Sequence, residues 1–62
     1  MDDAEDIDKV AAEYISARGS DAVADLRERA EMASENGDEL SAKAWTDIAN
    51  AAERRLREQG SI

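Results

Sequence analysis

Apolar residues recur along this chain at helical spacing in three stretches, separated by two breaks that each contain a glycine. In the first stretch Ile7, Val10, Ala11, Tyr14 and Ile15 follow the i, i+3, i+4, i+7, i+8 pattern of a single helix face, with Asp8, Lys9, Ala12, Glu13 and Ser16 on the other side. That spacing predicts a helix over 3–18. The second stretch, 21–35, turns Ala22, Val23, Leu26, Ala30 and Ala33 inward and leaves Met32 on the flank. It is the weakest stripe of the three, because most of it is alanine. In the third stretch, 38–59, Ser41, Ala44, Trp45, Ile48, Ala51, Ala52 and Leu56 share one face, and Lys43, Asp47, Asn50 and Arg54 share the other. A helix of about 21 residues spans about 31 Å, so the third helix is expected to be the longest element. Trp45, the one tryptophan, is expected at the centre of the core.

The residues at the breaks supply the chemistry that ends one helix and starts the next. Gly19 suits a left-handed residue after the first helix, and Ser20 is placed to cap the second. Asn36 and Gly37 give the same left-handed stop, with Asp38 as the next N-cap. Gly60 is expected to stop the last helix. Connections this short make consecutive helices antiparallel, which predicts an all-α, single-domain, three-helix up-down-up bundle. A dimer of two helical hairpins is the rival arrangement.

Composition narrows the picture further. The chain has 62 residues, and half of its hydrophobic set is alanine, so the core available to it is small. With no cysteine and no histidine, neither disulfides nor the usual zinc chemistry can reinforce it. What remains is regular helix packing or self-association, and a weak homodimer is expected, with Leu56 left short of cover at the overhanging end of the third helix. Catalysis has little to work with, since there is no His, no Cys, no phosphate-binding glycine loop and no base beside any serine. The expectation is a protein that is not an enzyme and uses no cofactor. The acids near the start do not follow the spacing of a calcium loop, and Asn36, Asp38 and Glu39 around Gly37 are explained by capping.

Charge adds a further expectation. Sixteen acidic residues against eight basic ones give a formal charge of −8, which argues against direct nucleic-acid binding. No apolar run is long enough to span a membrane and no basic-then-apolar leader is present, so a cytoplasmic protein is expected. In an up-down-up bundle the start of the first helix lies at the same end as the second turn. Asp2, Asp3, Glu5, Asp6, Asp8, Glu31, Glu35, Asp38 and Glu39 would then form an acidic pole against Lys9 and Lys43, and Met32 would either fill the edge of the core or stand exposed as a partner contact. Arg18, Arg54, Arg55 and Arg57 would stand at the opposite end. Acids at helix starts and arginines at helix ends also satisfy the helix dipoles, so the layout has a structural reason of its own.

Gly19, Asp21 and Ala22, then Gly37 and Asp38, then Trp45 and Ile48 form a pattern: a Gly-x-Asp-Ala helix start, a Gly-Asp turn and a Trp three residues before Ile. In this the chain resembles a loose group of small uncharacterised alphaproteobacterial helical proteins, over about two thirds of its length. The resemblance implies a helical fold and brings no activity with it. The function expected from the residues is a small acidic protein-interaction module, an adaptor or accessory subunit, bound to a protein partner. The second reading is an acidic inhibitor that occupies a nucleic-acid-binding surface, of the antitoxin or anti-defence type.

Overall fold

The computed structural model describes residues 3–60, with side chains described from Asp6 onward. Three helices follow in order: α1, Asp3–Arg18; α2, Asp21–Glu35; and α3, Glu39–Gly60, the longest. They form a three-helix bundle, and among the described residues there is no strand. The two internal glycines end their helices by different hydrogen-bonding patterns. Gly19, at φ 63°, donates its N–H to Ile15 O at 2.7 Å, a single bond closing the last turn of α1. At the end of α2 two bonds form: Gly37, at φ 78°, donates to Ser34 O at 3.0 Å, and Asp38 donates to Ala33 O at 2.9 Å. This is the double closure of a Schellman motif.

The starts of the helices differ too. Asp38 caps α3 as expected, accepting the Ser41 N–H on Oδ1 at 3.2 Å. Ser20 does not cap α2. Its backbone is already helical at φ −66°, ψ −19°, and its side chain makes no capping bond. The Ala22 N–H bonds to the Gly19 carbonyl at 3.1 Å, so backbone does there what a side chain was expected to do. Gly60 is the last residue of α3 and does not take a positive φ.

Ala11, Leu26, Ile48, Ala49, Ala51 and Ala52 form the buried core, with Ile7, Val10, Tyr14, Ile15, Val23 and Trp45 packed around it. The centre is Leu26, fully buried on the stripe that looked weakest, whereas Trp45 is only half-buried. The reason is size. Small side chains line the core, Ala11 from α1 and Ala49, Ala51 and Ala52 from α3, and the large side chain that fits fully among them is Leu26 of α2, while the bigger indole stays at the edge. Ala49 is buried and Ala44 exposed, the reverse of the expected stripe, because α2 lies towards the Ala49 side of α3. The Arg27–Glu53 ion pair, at 3.4 Å, marks that side. Leu56 is partly buried, outside the set of side chains packed against the core.

α2 and α3 run antiparallel and make the most extensive interface of the fold. α1 lies over this pair as a second layer, and the shortest dimension of the molecule, 17 Å, leaves room for two layers of helices. It does not run alongside α3. Tyr14 of α1 meets Trp45, yet Ile7, two turns earlier, shares one surface depression with Asp47, Asn50 and Arg54 and another with Leu40 and Ala44. Seven residues of α1 therefore advance hardly at all along α3, which means that α1 is laid across it. Past the crossing, α1 descends to α2, where Arg18 pairs with Asp25 at 3.3 Å.

Candidate partner-binding face

Because α1 crosses α3 near its middle, the turn end of the α2–α3 hairpin is left without a helix over it. Leu40 and Ala44 are one turn apart on α3, and so are Ser41 and Trp45, so these four side chains occupy adjoining rows of the face that α1 covers further along. Leu40 is 86% exposed and Met32 of α2 is 58% exposed. These are the exposed large hydrophobic side chains among the described residues. Met32 lies one turn beyond Arg29 on α2, whose guanidinium is 5.4 Å from the Trp45 ring centroid. Ile7, Leu40 and Ala44 line a shallow depression between α1 and the start of α3, rimmed by Asp6, Lys43 and Asp47.

Where the three helices meet stands an aromatic and cationic cluster. Tyr14 and Trp45 meet edge to face, with centroids 6.2 Å apart and planes at 79°. Arg29 lies over both rings, 5.9 Å from Tyr14 and 5.4 Å from Trp45. Asp25 Oδ2 stands between two guanidiniums, Arg18 at 3.3 Å and Arg29 at 3.9 Å. Arg29 is beyond hydrogen-bond distance and neither contact counts as a hydrogen bond, so this buried oxygen is held by charge. The arrangement keeps Arg29 turned towards the rings.

The expected acidic pole is only partly assembled. Glu35, Asp38 and Glu39 stand together, exposed, at the α2–α3 turn. Asp38 holds its carboxyl below the usual value, because the Ser41 hydroxyl and then the Ser41 N–H bond to its charged form. Asp6 lies on the rim of the depression beside Leu40. Asp8 is on the other side of α1 and faces Arg54, Arg55 and Glu58. That position is about 24 Å along α3 from Asp38, so Asp8 belongs with the arginines and not with the pole. Asp2 lies outside the described residues, as do the side chains of Asp3 and Glu5. Met32 is exposed and does not fill the edge of the core.

Sequence reasoning missed Leu40 as a surface residue, although a signal was present: it lies outside the stripe that runs through Ser41, Trp45 and Ile48. It also missed Arg29, whose position four residues after Asp25 was the available clue. Among the described residues no group of three or more acidic side chains is placed to hold a metal ion, and no helix is long and apolar enough to cross a membrane. Comparison with protein-family models, with curated proteins and with solved structures finds no match to this chain, and the resemblance to small alphaproteobacterial proteins stays an expectation.

Proposed function

We propose that this chain is a small helical protein-interaction module, an adaptor or accessory subunit, and that it binds its partner through the uncovered turn end of the α2–α3 hairpin. The observation that carries this reading is Leu40, 86% exposed in a chain with so few large apolar residues. Leaving such a side chain in water forgoes roughly 1.5–3 kcal/mol of burial, a considerable amount for so small a domain. Exposed apolar surface beside a polar rim is the usual composition of a contact site. The reading as an acidic inhibitor of a nucleic-acid-binding protein draws less support. It needs an unbroken acidic surface, and Asp8 is interleaved with Arg54 and Arg55.

Affinity capture with the wild-type chain and with a Leu40→Ser, Met32→Ser double variant tests the proposal. Both side chains are exposed, so the variant is expected to fold. A partner held by the wild type and lost with the variant supports the reading, and an unchanged set of captured proteins overturns it.

A further inference from the structure

We infer that the trough between the start of α1 and the outer side of α3 receives a helix of another protein, which sets an apolar side chain on Leu40 and a Lys or Arg on Asp47. This rests on the interaction reading above and names the chemistry of the partner.

Two depressions run into one another along α3. The first is lined by Leu40, Lys43, Ala44 and Asp47, the second by Asp47, Asn50, Glu53 and Arg54, and Ile7 of α1 borders both. Leu40, Asp47 and Arg54 are seven residues apart, so they follow one side of the helix at about 10.5 Å per step. Ala49, buried on the α2 side, is nine residues from Leu40 and therefore half a turn round the helix from it. The trough and α2 thus stand on opposite sides of α3. A partner helix repeats its own side chains at the same seven-residue step, so one laid along this line keeps in register with it, with Ile7 as the wall on the α1 side.

Charge fixes the composition of that helix. Asp47 is half-buried, stands where the two depressions meet, and takes part in no ion pair among the described residues. Lys43, one turn before it, is exposed and does not close on it. A carboxylate partly out of water beside Ile7 and Ala44 is screened less than one on open surface, so a cation brought to it is attracted more strongly. Asp6 of α1 lines the same depression and adds to the attraction. At the far end Asp8 shares a depression with Arg54, and charge there is close to balanced. The unmatched acid in the trough is therefore at Asp47 and Asp6, one heptad from Leu40, and a helix carrying an apolar residue and a Lys or Arg seven apart is complementary to it. A second copy of this chain is a poorer occupant, because it brings a net charge of −8 against −8.

The test uses two fluorescein-labelled helical peptides of about 18 residues, long enough for some helix content in water, and reads binding to the intact chain by anisotropy. Both carry Leu at i and i+4; one carries Arg at i+7 and i+8 and its twin carries Glu there. The Arg peptide is expected to bind about tenfold more tightly than its twin at low salt, with the difference shrinking as salt rises. Asp47→Asn is expected to remove most of that preference, and Asp8→Asn, which takes away the same net charge, to leave it in place. Leu40→Ser, at an exposed position, is expected to weaken both peptides without changing the melting curve. Equal binding of the two peptides, lost for both in Leu40→Ser, overturns the basic partner and leaves the interaction reading standing. A preference that Asp47→Asn leaves intact, binding of the Arg peptide that Leu40→Ser does not weaken, or binding of neither peptide overturns the inference, while the interaction reading is judged separately by affinity capture. Sedimentation of the chain alone that shows a dimer abolished by Leu40→Ser makes a second copy the occupant and overturns it too.

Discussion

Arg29 and Trp45, from α2 and α3, form a stacked pair, with the guanidinium carbon 5.4 Å from the indole centroid. The indole has Tyr14 edge-on at another side, so three helices meet at one half-exposed aromatic. A stacked guanidinium keeps its charge in contact with water while its stem covers the ring, which is how an amphipathic side chain can finish a core too small to enclose a tryptophan. Replacing Arg29 by Ala should cost about 1 kcal/mol and shift Trp45 emission to the red, whereas Arg29→Met, which keeps the stem, should lose less. A matched pair of thermal melts and emission spectra checks this; equal losses for the two variants would show that the charge, through Asp25, matters more than the cover.

Leu26 and Trp45 should exchange the roles their sizes suggest. Leu26 is fully buried and Leu→Ala substitutions in cores cost about 2–5 kcal/mol, against a total of roughly 3–9 kcal/mol for a chain of this length. Leu26→Ala should leave the chain largely unfolded. Trp45→Ala removes a half-buried ring and should cost less, about 2–3 kcal/mol, with a folded population still present by circular dichroism. Denaturant titrations of the two variants decide the order, and a larger loss at Trp45 would return it to the centre of the core.

Those two residues also mark how far the sequence could be read. The helices and their breaks were legible because they are local: a three-and-four spacing, a glycine able to take positive φ, and an aspartate three residues before the N–H it caps. The path of α1 across α3 was not, because helical spacing defines which face is buried and says nothing about the angle at which it is crossed. Alanines at Ala11, Ala49, Ala51 and Ala52 make that angle still harder to read, since small side chains offer no ridge that selects one crossing over another. Everything that depended on the crossing changed with it: the half-exposure of Trp45, the placement of Asp8 among arginines, and the bare turn end with Leu40. Of the candidate site, the acids at the α2–α3 turn were legible, and the depression that holds Leu40 was not.

The turn between α1 and α2 offers a sharp contrast between neighbours. Gly19 holds φ 63°, where a Cβ costs roughly 1–2 kcal/mol, and nothing else crowds the position. Gly19→Ala should therefore destabilise by about that amount through the backbone alone. Ser20→Ala should change stability by less than about 0.5 kcal/mol, because the hydroxyl makes no capping bond to lose. Chemical denaturation of both variants measures the difference. A loss of about 1 kcal/mol at Ser20 would show that its side chain caps α2 in solution.

Asp38 gives the fold a defined response to acid. Its carboxyl is held below the ordinary value of 3.8 by the Ser41 hydroxyl and N–H, so the charged form is favoured by folding. The contribution is fully present above that value and is lost as pH falls below it, through the lowered folded value. Asp38→Asn keeps an acceptor for the Ser41 N–H and should remove this part of the acid sensitivity, flattening the melting temperature against pH between about 4 and 2 relative to the wild type. Parallel curves for the two proteins would mean that other carboxylates carry the whole acid response.

Asp6 and Asp8 are separated by a single residue but face different neighbours, and the difference can be measured. Asp6 stands on the rim of the depression that holds Leu40, whereas Asp8 stands opposite Arg54 and Arg55. Both are exposed, so Asn at either position should leave the fold nearly intact, within about 0.5 kcal/mol. If the uncovered face binds a basic helix, Asp6→Asn should slow its association at low salt, because long-range steering depends on charge near the docking site. Asp8→Asn takes a negative charge from beside two arginines and should have the smaller effect on the same rate, since that part of the surface is close to balanced. Both variants remove one unit of charge, so a pure dependence on net charge predicts equal slowing. Stopped-flow association of a Lys- and Arg-rich amphipathic helical peptide with each variant, at two ionic strengths, separates the two cases: unequal rates that converge as salt rises locate the docking site beside Asp6 and Leu40, and equal rates at low salt remove Asp6 from it.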